Sequence, residues 1–240
     1  MRYLITFSYD GTNFSGYQKQ PKLRTVQGEI EDALKKISGG LDIEINSSGR
    51  TDRGVHAINQ KAHFDLYKKV ALHKLKMALN TYTNKDIYIK DIKIVDNNFH
   101  ARYMVKKKEY IYKINIGEYN PLDRNYIFQY NNKLNIIKIK KESKYLIGTH
   151  DFSSFANKED KKESYVRTIY KIYVKKNKDI LTIKFIGNGF LKYQVRNMIG
   201  ALIEVSNTNK SIKDILNQKN RKTFGKIAPP EGLYLSNVEY

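Results

Sequence analysis

One short stretch of the chain holds the residue types and spacing that chemistry needs: Gly49-Arg50-Thr51-Asp52-Arg53-Gly54-Val55-His56-Ala57. It sets an aspartate between two arginines, just ahead of a histidine, with a glycine on either side. Flanking glycines let a backbone turn tightly and approach a ligand closely. An arginine beside a carboxyl favours the ionised form, and an ionised carboxylate can act as a nucleophile or a base. The same residues would equally suit an ordinary surface turn built on an Arg–Asp pair, so the spacing alone leaves both readings open. His56 reads as a hydrogen-bonded loop histidine. The five histidines (56, 63, 73, 100 and 150) lack the spacing of metal ligands, and the absence of cysteine excludes disulfides, thiolate nucleophiles and Cys-ligated zinc.

The elements that must carry this loop are legible in the hydrophobic pattern. Residues 2–9 alternate as a strand with Tyr3, Ile5 and Phe7 on one face. A Gly-punctuated loop from Asp10 to Pro21 follows. Val26, Ile30, Ala33, Leu34 and Ile37 then recur at helical spacing between Thr25 and Ser38, and Gly39-Gly40 ends that helix. Strands are predicted at 42–48, 60–66 and 87–95, with a helix over 71–79. After residues 99–103 the pattern restarts with a strand at 108–116. A helix over 140–147, strands at 166–175 and 179–187, and helices over 191–205 and 211–217 complete it. Both halves thus mix strands with one or two helices. This predicts an α+β protein of two related lobes sharing a mostly antiparallel sheet flanked by helices, divided as 1–104 and 105–240. The Lys/Asn-rich stretches 131–142 and 157–163 read as solvated loops.

Composition narrows the partners. At 240 residues and 40% hydrophobic the chain can bury a substantial core, and its net charge of +20 favours polyanions, nucleic acid first among them. Lysine enrichment can also reflect codon bias, so charge by itself does not fix the partner. The N-terminal MRYLITFSYDG lacks an apolar signal core, and no run approaches the ~18 apolar residues of a membrane span, which predicts a cytoplasmic protein without a membrane partner. No Walker-type or dinucleotide-binding glycine pattern is present.

Against this background GRTDRGVHA resembles the GRTDxGVHA signature of the TruA family of pseudouridine synthases. The resemblance extends along the chain in order. It includes SYDGTNFSGYQKQP (8–21), RTVQGEIEDAL (24–34), FHARY (99–103), KEYIYKI (108–114), GTHDFSSF (148–155), GNGFLKYQVRNMIG (187–200) and APPEGLYL (228–235). It implies the pseudouridine synthase fold and an isomerase that breaks the N1–C1′ bond of uridine, rotates the base and rejoins it through C5. Nothing is oxidised or hydrolysed, so neither cofactor nor metal is implied.

The resemblance makes Asp52 the catalytic nucleophile, acting through C6 of uracil or through C1′. It makes Arg50 a partner of Asp52 that fills the space left by a flipped nucleotide, since chemistry on a base needs the base extruded. Tyr110 becomes the tyrosine that stacks on uracil, with Tyr112 two residues on as a core residue of the same sheet face. Arg196 becomes a further arginine expected to pair with the catalytic Asp. Leu191 reads as packing. Two positions depart from the common pattern: Arg53 stands where many members carry a small residue, and Tyr17 where many carry Trp. The family further implies a homodimer and a tRNA substrate modified at positions 38–40 of the anticodon stem-loop, with Lys19, Lys22, Arg24 and Arg53 as candidates for the RNA backbone. Two other readings are an enzyme of the same class acting on ribosomal RNA and a non-catalytic RNA-binding protein.

Overall fold

The computed structural model describes residues 1–157, 163–223 and 225–240, and the chain divides into two compact units, Met1–Lys106 with Tyr234–Tyr240, and Lys107–Leu233. The first break falls after Lys106. The second was not foreseen: the last seven residues belong to the first unit. The expected loop at 157–163 falls almost wholly outside the described residues.

The first unit runs β1 (Arg2–Tyr9), α1 (Val26–Ile37), β2 (Asn46–Ser47), β3 (His56–Asp65), α2 (Leu72–Tyr82) and β4 (Ile87–Val95). Its sheet has the order β4-β1-β3, with β2 pairing on β3; the final strand of the chain lies parallel to β3, with Tyr234 opposite His56 and Leu235 opposite Ala57. All other pairings in this unit are antiparallel. The alternation in β1 works as expected, with Tyr3, Ile5 and Phe7 wholly buried. Helix α1 starts where Thr25 caps it, its Oγ1 accepting from the Gly28 N–H at 3.2 Å. It buries Val26, Ile30, Ala33 and Leu34 along one stripe, each large side chain adding about 1.5–3 kcal/mol.

The predicted strand at 42–48 shrinks to Asn46–Ser47, and a buried acid explains why. Glu31, on α1, accepts from the Ile45 N–H at 3.2 Å, from Gln27 at 2.8 Å and from the Lys19 ammonium at 3.0 Å. The backbone donor of Ile45 thus goes to a helix side chain instead of a neighbouring strand, while Ile43 and Ile45 still fill the core.

A buried histidine links β3 to the segment after β4. His63 accepts from the Ala101 N–H at Nδ1, 3.1 Å, and hydrogen-bonds to the backbone of Asn46. Burial, reinforced by Arg2, pushes its pKa down to about 4. The folded protein therefore holds a neutral imidazole that the unfolded chain would protonate near its ordinary value of about 6.5. Its stabilising contribution is complete above that value and is lost as pH falls through the window from about 6.5 to about 4. The unfolding midpoint is expected to drop on acidification across this window, and His63→Asn to flatten the drop; an equal drop in the variant would assign the acid sensitivity elsewhere.

The second unit runs β5 (Lys107–Asn115), β6 (Phe128–Gln129), α3 (Ile136–Ser143), β7 (Gly148–Asp151), β8 (Val166–Asn177), β9 (Ile180–Gly187), α4 (Gln194–Ser206) and α5 (Ile212–Gln218), after which β10 (Leu233–Glu239) returns to the first unit. Its sheet has the order β5-β9-β8-β7, antiparallel throughout, with β6 added in parallel to β5. Tyr112, Leu181, Ile183 and Phe185 from the sheet and Met198, Ile199 and Leu202 from α4 make its core.

Helix α3 begins at Ile136, capped by Asn135, within a stretch expected to be a loop and ahead of the predicted helix start at 140. Lysines 138, 140 and 141 disguised it. Its buried end is a carboxylate: Glu142 accepts from the Ile212 N–H at 2.8 Å and from Ser211 at 3.0 Å, and so caps α5. Each unit is therefore α+β, with a mostly antiparallel sheet and flanking helices. Among the described residues no helix is long and apolar enough to cross a membrane, and no cluster of three or more His, Asp or Glu could hold a metal ion.

Candidate active site

The loop 49–55 connects β2 to β3 and is gripped on both sides of Asp52. On the upstream side the wholly buried Gln60 of β3 is the clamp. Its Nε2 donates to the Gly49 carbonyl at 2.8 Å, while its Oε1 accepts from Ser48 Oγ at 2.6 Å and from the Lys61 N–H at 3.1 Å. Beside Asp52, the Thr51 hydroxyl lies 2.8 Å from that of Tyr9, and the Thr51 carbonyl accepts from the Tyr17 N–H at 3.1 Å. Burial pushes the Tyr9 phenol well above its ordinary pKa, so this contact is one between neutral hydroxyls.

Downstream, the Val55 N–H donates to the Asp52 carbonyl at 3.1 Å, closing a turn in which Gly54 takes φ +77°, a conformation that favours glycine. The loop 10–21 lies directly against this turn. A Cβ on Gly11 would sit 2.1 Å from the Val55 carbonyl oxygen, so only glycine admits that approach. Gly11 in turn donates its N–H to His56 Nδ1 at 3.0 Å, and the His56 ring stacks on Tyr234 at 4.8 Å. His56 is 2% exposed and acts as a structural hydrogen-bonded histidine, as its sequence context suggested.

The result is a turn whose backbone is fixed by buried and part-buried bonds, with Asp52 partly exposed between two exposed arginines, Arg50 and Arg53. Tyr17, at the position of the commoner Trp, is a buried core ring. The basic residues of the adjoining loop fall into two groups. Lys22 is exposed. Lys19 neutralises Glu31, and Arg24 reaches Glu29 at 2.6 Å and Asp86 at 2.7 Å while its guanidinium lies 4.3 Å from the Phe14 ring centre. The side chains that sequence reasoning missed are Gln60, Tyr9 and Thr51. The available signal was a polar residue, Gln60, at the start of a predicted strand.

Within the second unit three of the matched blocks converge. Tyr110, Tyr112 and Ile114 of β5 share the buried face. Tyr112 is wholly buried and donates its hydroxyl to the Pro229 carbonyl at 2.7 Å. Tyr110 meets the edge of Phe190 at 5.2 Å and 83°. Arg196 binds the same 228–232 segment twice: its Nε donates to the Ala228 carbonyl at 2.8 Å, and its own carbonyl accepts from the Ala228 N–H at 3.2 Å. Its guanidinium also lies 5.4 Å from the Tyr193 ring centre. Burial raises the pKa of the Glu231 carboxyl, and Arg196 opposes that rise. Leu191 is buried at the start of α4, consistent with packing.

Comparison with known proteins matches this chain over nearly its whole length. A family model described as tRNA pseudouridine synthase matches residues 5–104 and 143–240. The chain is 43% identical over 247 residues to the tRNA pseudouridine synthase A of Limosilactobacillus reuteri (strain DSM 20016), covering 100% of this chain and 96% of that protein. It is 44% identical over 243 residues to the protein of the same name from Geobacillus sp. (strain WCH70), covering 100% and 98% respectively.

Proposed function

Since the chain belongs to the tRNA pseudouridine synthase family, we propose that it isomerises uridine to pseudouridine in tRNA, at positions 38–40 of the anticodon stem-loop, with Asp52 as nucleophile. The observation that carries this reading is the loop itself: a partly exposed aspartate on a backbone fixed by Gln60, Tyr9, Gly11 and Tyr17. Preorganisation of this kind is what a reacting group requires, because small misplacements lower rates steeply.

In the reaction the N1–C1′ bond breaks, the uracil rotates, a C1′–C5 bond forms, and the proton of C5 is lost while N1 gains one. Asp52 adds to C1′ or to C6 and is released at the end, so the enzyme returns unchanged. Arg50 occupies the space left by the extruded nucleotide. Tyr110 stacks on the uracil, and Arg196 supplies positive charge to the reacting carboxylate. Among the basic residues of the N-terminal loops, Lys22 and Arg53 are assigned to backbone phosphates first, because Lys19 and Arg24 already neutralise carboxylates. A homodimer in the cytoplasm completes the reading.

The test is conversion of unmodified tRNA transcripts by purified protein with no metal or cofactor added, mapped by chemical labelling and primer extension. Pseudouridine is expected at positions 38–40. Conversion of ribosomal RNA fragments instead would keep the reaction and overturn the substrate. Binding without conversion of either RNA would leave a non-catalytic RNA-binding protein.

A further inference from the structure

The segment Phe99-His100-Ala101-Arg102-Tyr103 has no part in the chemistry above, yet it is among the most heavily tethered loops of the first unit. Arg2 donates to the carbonyls of Asn97 at 2.6 Å and Phe99 at 2.8 Å, while a two-pronged pair with Asp65 at 3.0 and 2.7 Å fixes its guanidinium. His63 takes the Ala101 N–H, and the Tyr240 hydroxyl donates to the Ala101 carbonyl at 2.8 Å. Phe99 lies edge-on to Tyr240 at 4.8 Å.

On this anchored backbone the outward side chains are an aromatic–cation set. The His100 ring lies 4.3 Å from that of Tyr103 at 33°, and the Arg102 guanidinium is 5.8 Å from the Tyr103 ring centre. Tyr103 is 76% exposed, so its ring adds little to the core. The inward tethers hold the loop without it. A large ring displayed on a fixed backbone, with an arginine beside it, is the equipment that stacks an unpaired base and meets its phosphate. The net charge of +20 favours such an occupant over an apolar one.

We propose that residues 99–103 form an RNA contact platform, on which an unpaired nucleotide of the substrate stacks against Tyr103 while Arg102 meets the adjoining phosphate. This rests on the reading of the protein as an RNA-modifying enzyme and adds a contact surface separate from the Asp52 loop. A stacking ring is typically worth about 5- to 150-fold in affinity when truncated.

The experiment measures binding of an unmodified tRNA transcript as a function of salt. Tyr103→Ala is expected to weaken binding about tenfold and Tyr103→Phe by less than about twofold. Arg102→Ala should lower the salt slope by about one phosphate contact. Tyr67→Ala, which removes another ring on the same unit, 91% exposed, is the control and should bind as wild type. Photo-cross-linking of a 4-thiouridine transcript to the wild-type protein should label the segment 99–106, a result that needs no variant to fold. Unchanged binding by Tyr103→Ala, or equal loss in Tyr103→Phe, overturns the platform. So does a change in oligomeric state without a change in RNA affinity, which would make this a protein interface. If the wild type converts its transcripts in any of these cases, only the platform falls. If the wild type neither binds nor converts RNA, the functional reading itself has failed.

Discussion

Asp52→Ala is expected to reduce pseudouridine formation by at least about 10³-fold, equivalent to about 4 kcal/mol or more of transition-state stabilisation. On the proposed reading the carboxylate supplies the bond-forming electron pair in either route, through C1′ or through C6. Arg50 and Arg53 are cations, Thr51 holds its hydroxyl against Tyr9, and His56 uses Nδ1 to accept from Gly11. Asp52→Asn should be as inactive, since it keeps the shape and removes the charge. Both variants keep the bonds through the backbone of residue 52 and through Gln60, and should fold and bind tRNA. Single-turnover conversion and filter binding of the same transcript separate the two effects. Residual activity within about tenfold of wild type would remove Asp52 from the role.

Much of the first unit was legible because its signals are local. The period-two alternation of β1, the Thr25 cap of α1 and the glycines around Asp52 each announce their structure within a few residues. What was illegible depends on contacts between residues far apart in sequence. Glu31 diverts the Ile45 N–H, so a predicted strand of seven residues pairs over only two. The last strand joins the first unit in parallel to β3, a pairing across more than 170 residues that no local pattern encodes. Helix α3 was displaced in the reading because its exposed lysines outweigh the single fully buried isoleucine, Ile139, that anchors it.

The site shows the same division. Asp52, Arg50, Tyr110 and Arg196 could be named as candidates because the blocks that carry them resemble the family's motifs. Their supports could not. Arg24 read as a phosphate ligand on charge and proximity, and only the fold shows it occupied by Glu29 and Asp86. Tyr112 was separable from Tyr110 on the shared strand face, and its hydroxyl is committed to Pro229.

Gln60 has the largest testable consequence outside Asp52 itself. Gln60→Leu keeps the volume of the side chain but removes three hydrogen bonds. It leaves the Ser48 hydroxyl and the Gly49 carbonyl without the amide that now meets them inside the unit. The expected loss of stability is about 2–4 kcal/mol, since each buried group stripped of its partner costs about 1–3 kcal/mol. The functional loss is separate: with Gly49 released, the start of the loop can shift relative to Thr51, and a displacement of about 1 Å at a reacting group can cost about 10²-fold in rate. The variant should therefore lose about 10- to 100-fold in kcat, with KM much less affected, at a temperature where the folded fraction is confirmed by near-UV circular dichroism. Gln60→Glu keeps the acceptor for Ser48 and loses the donor to Gly49, and should fall between wild type and Gln60→Leu. A Gln60→Leu enzyme that is destabilised yet turns over within about twofold of wild type would make this amide a purely structural clamp and leave the placement of Asp52 to Tyr9, Gly11 and Tyr17 alone.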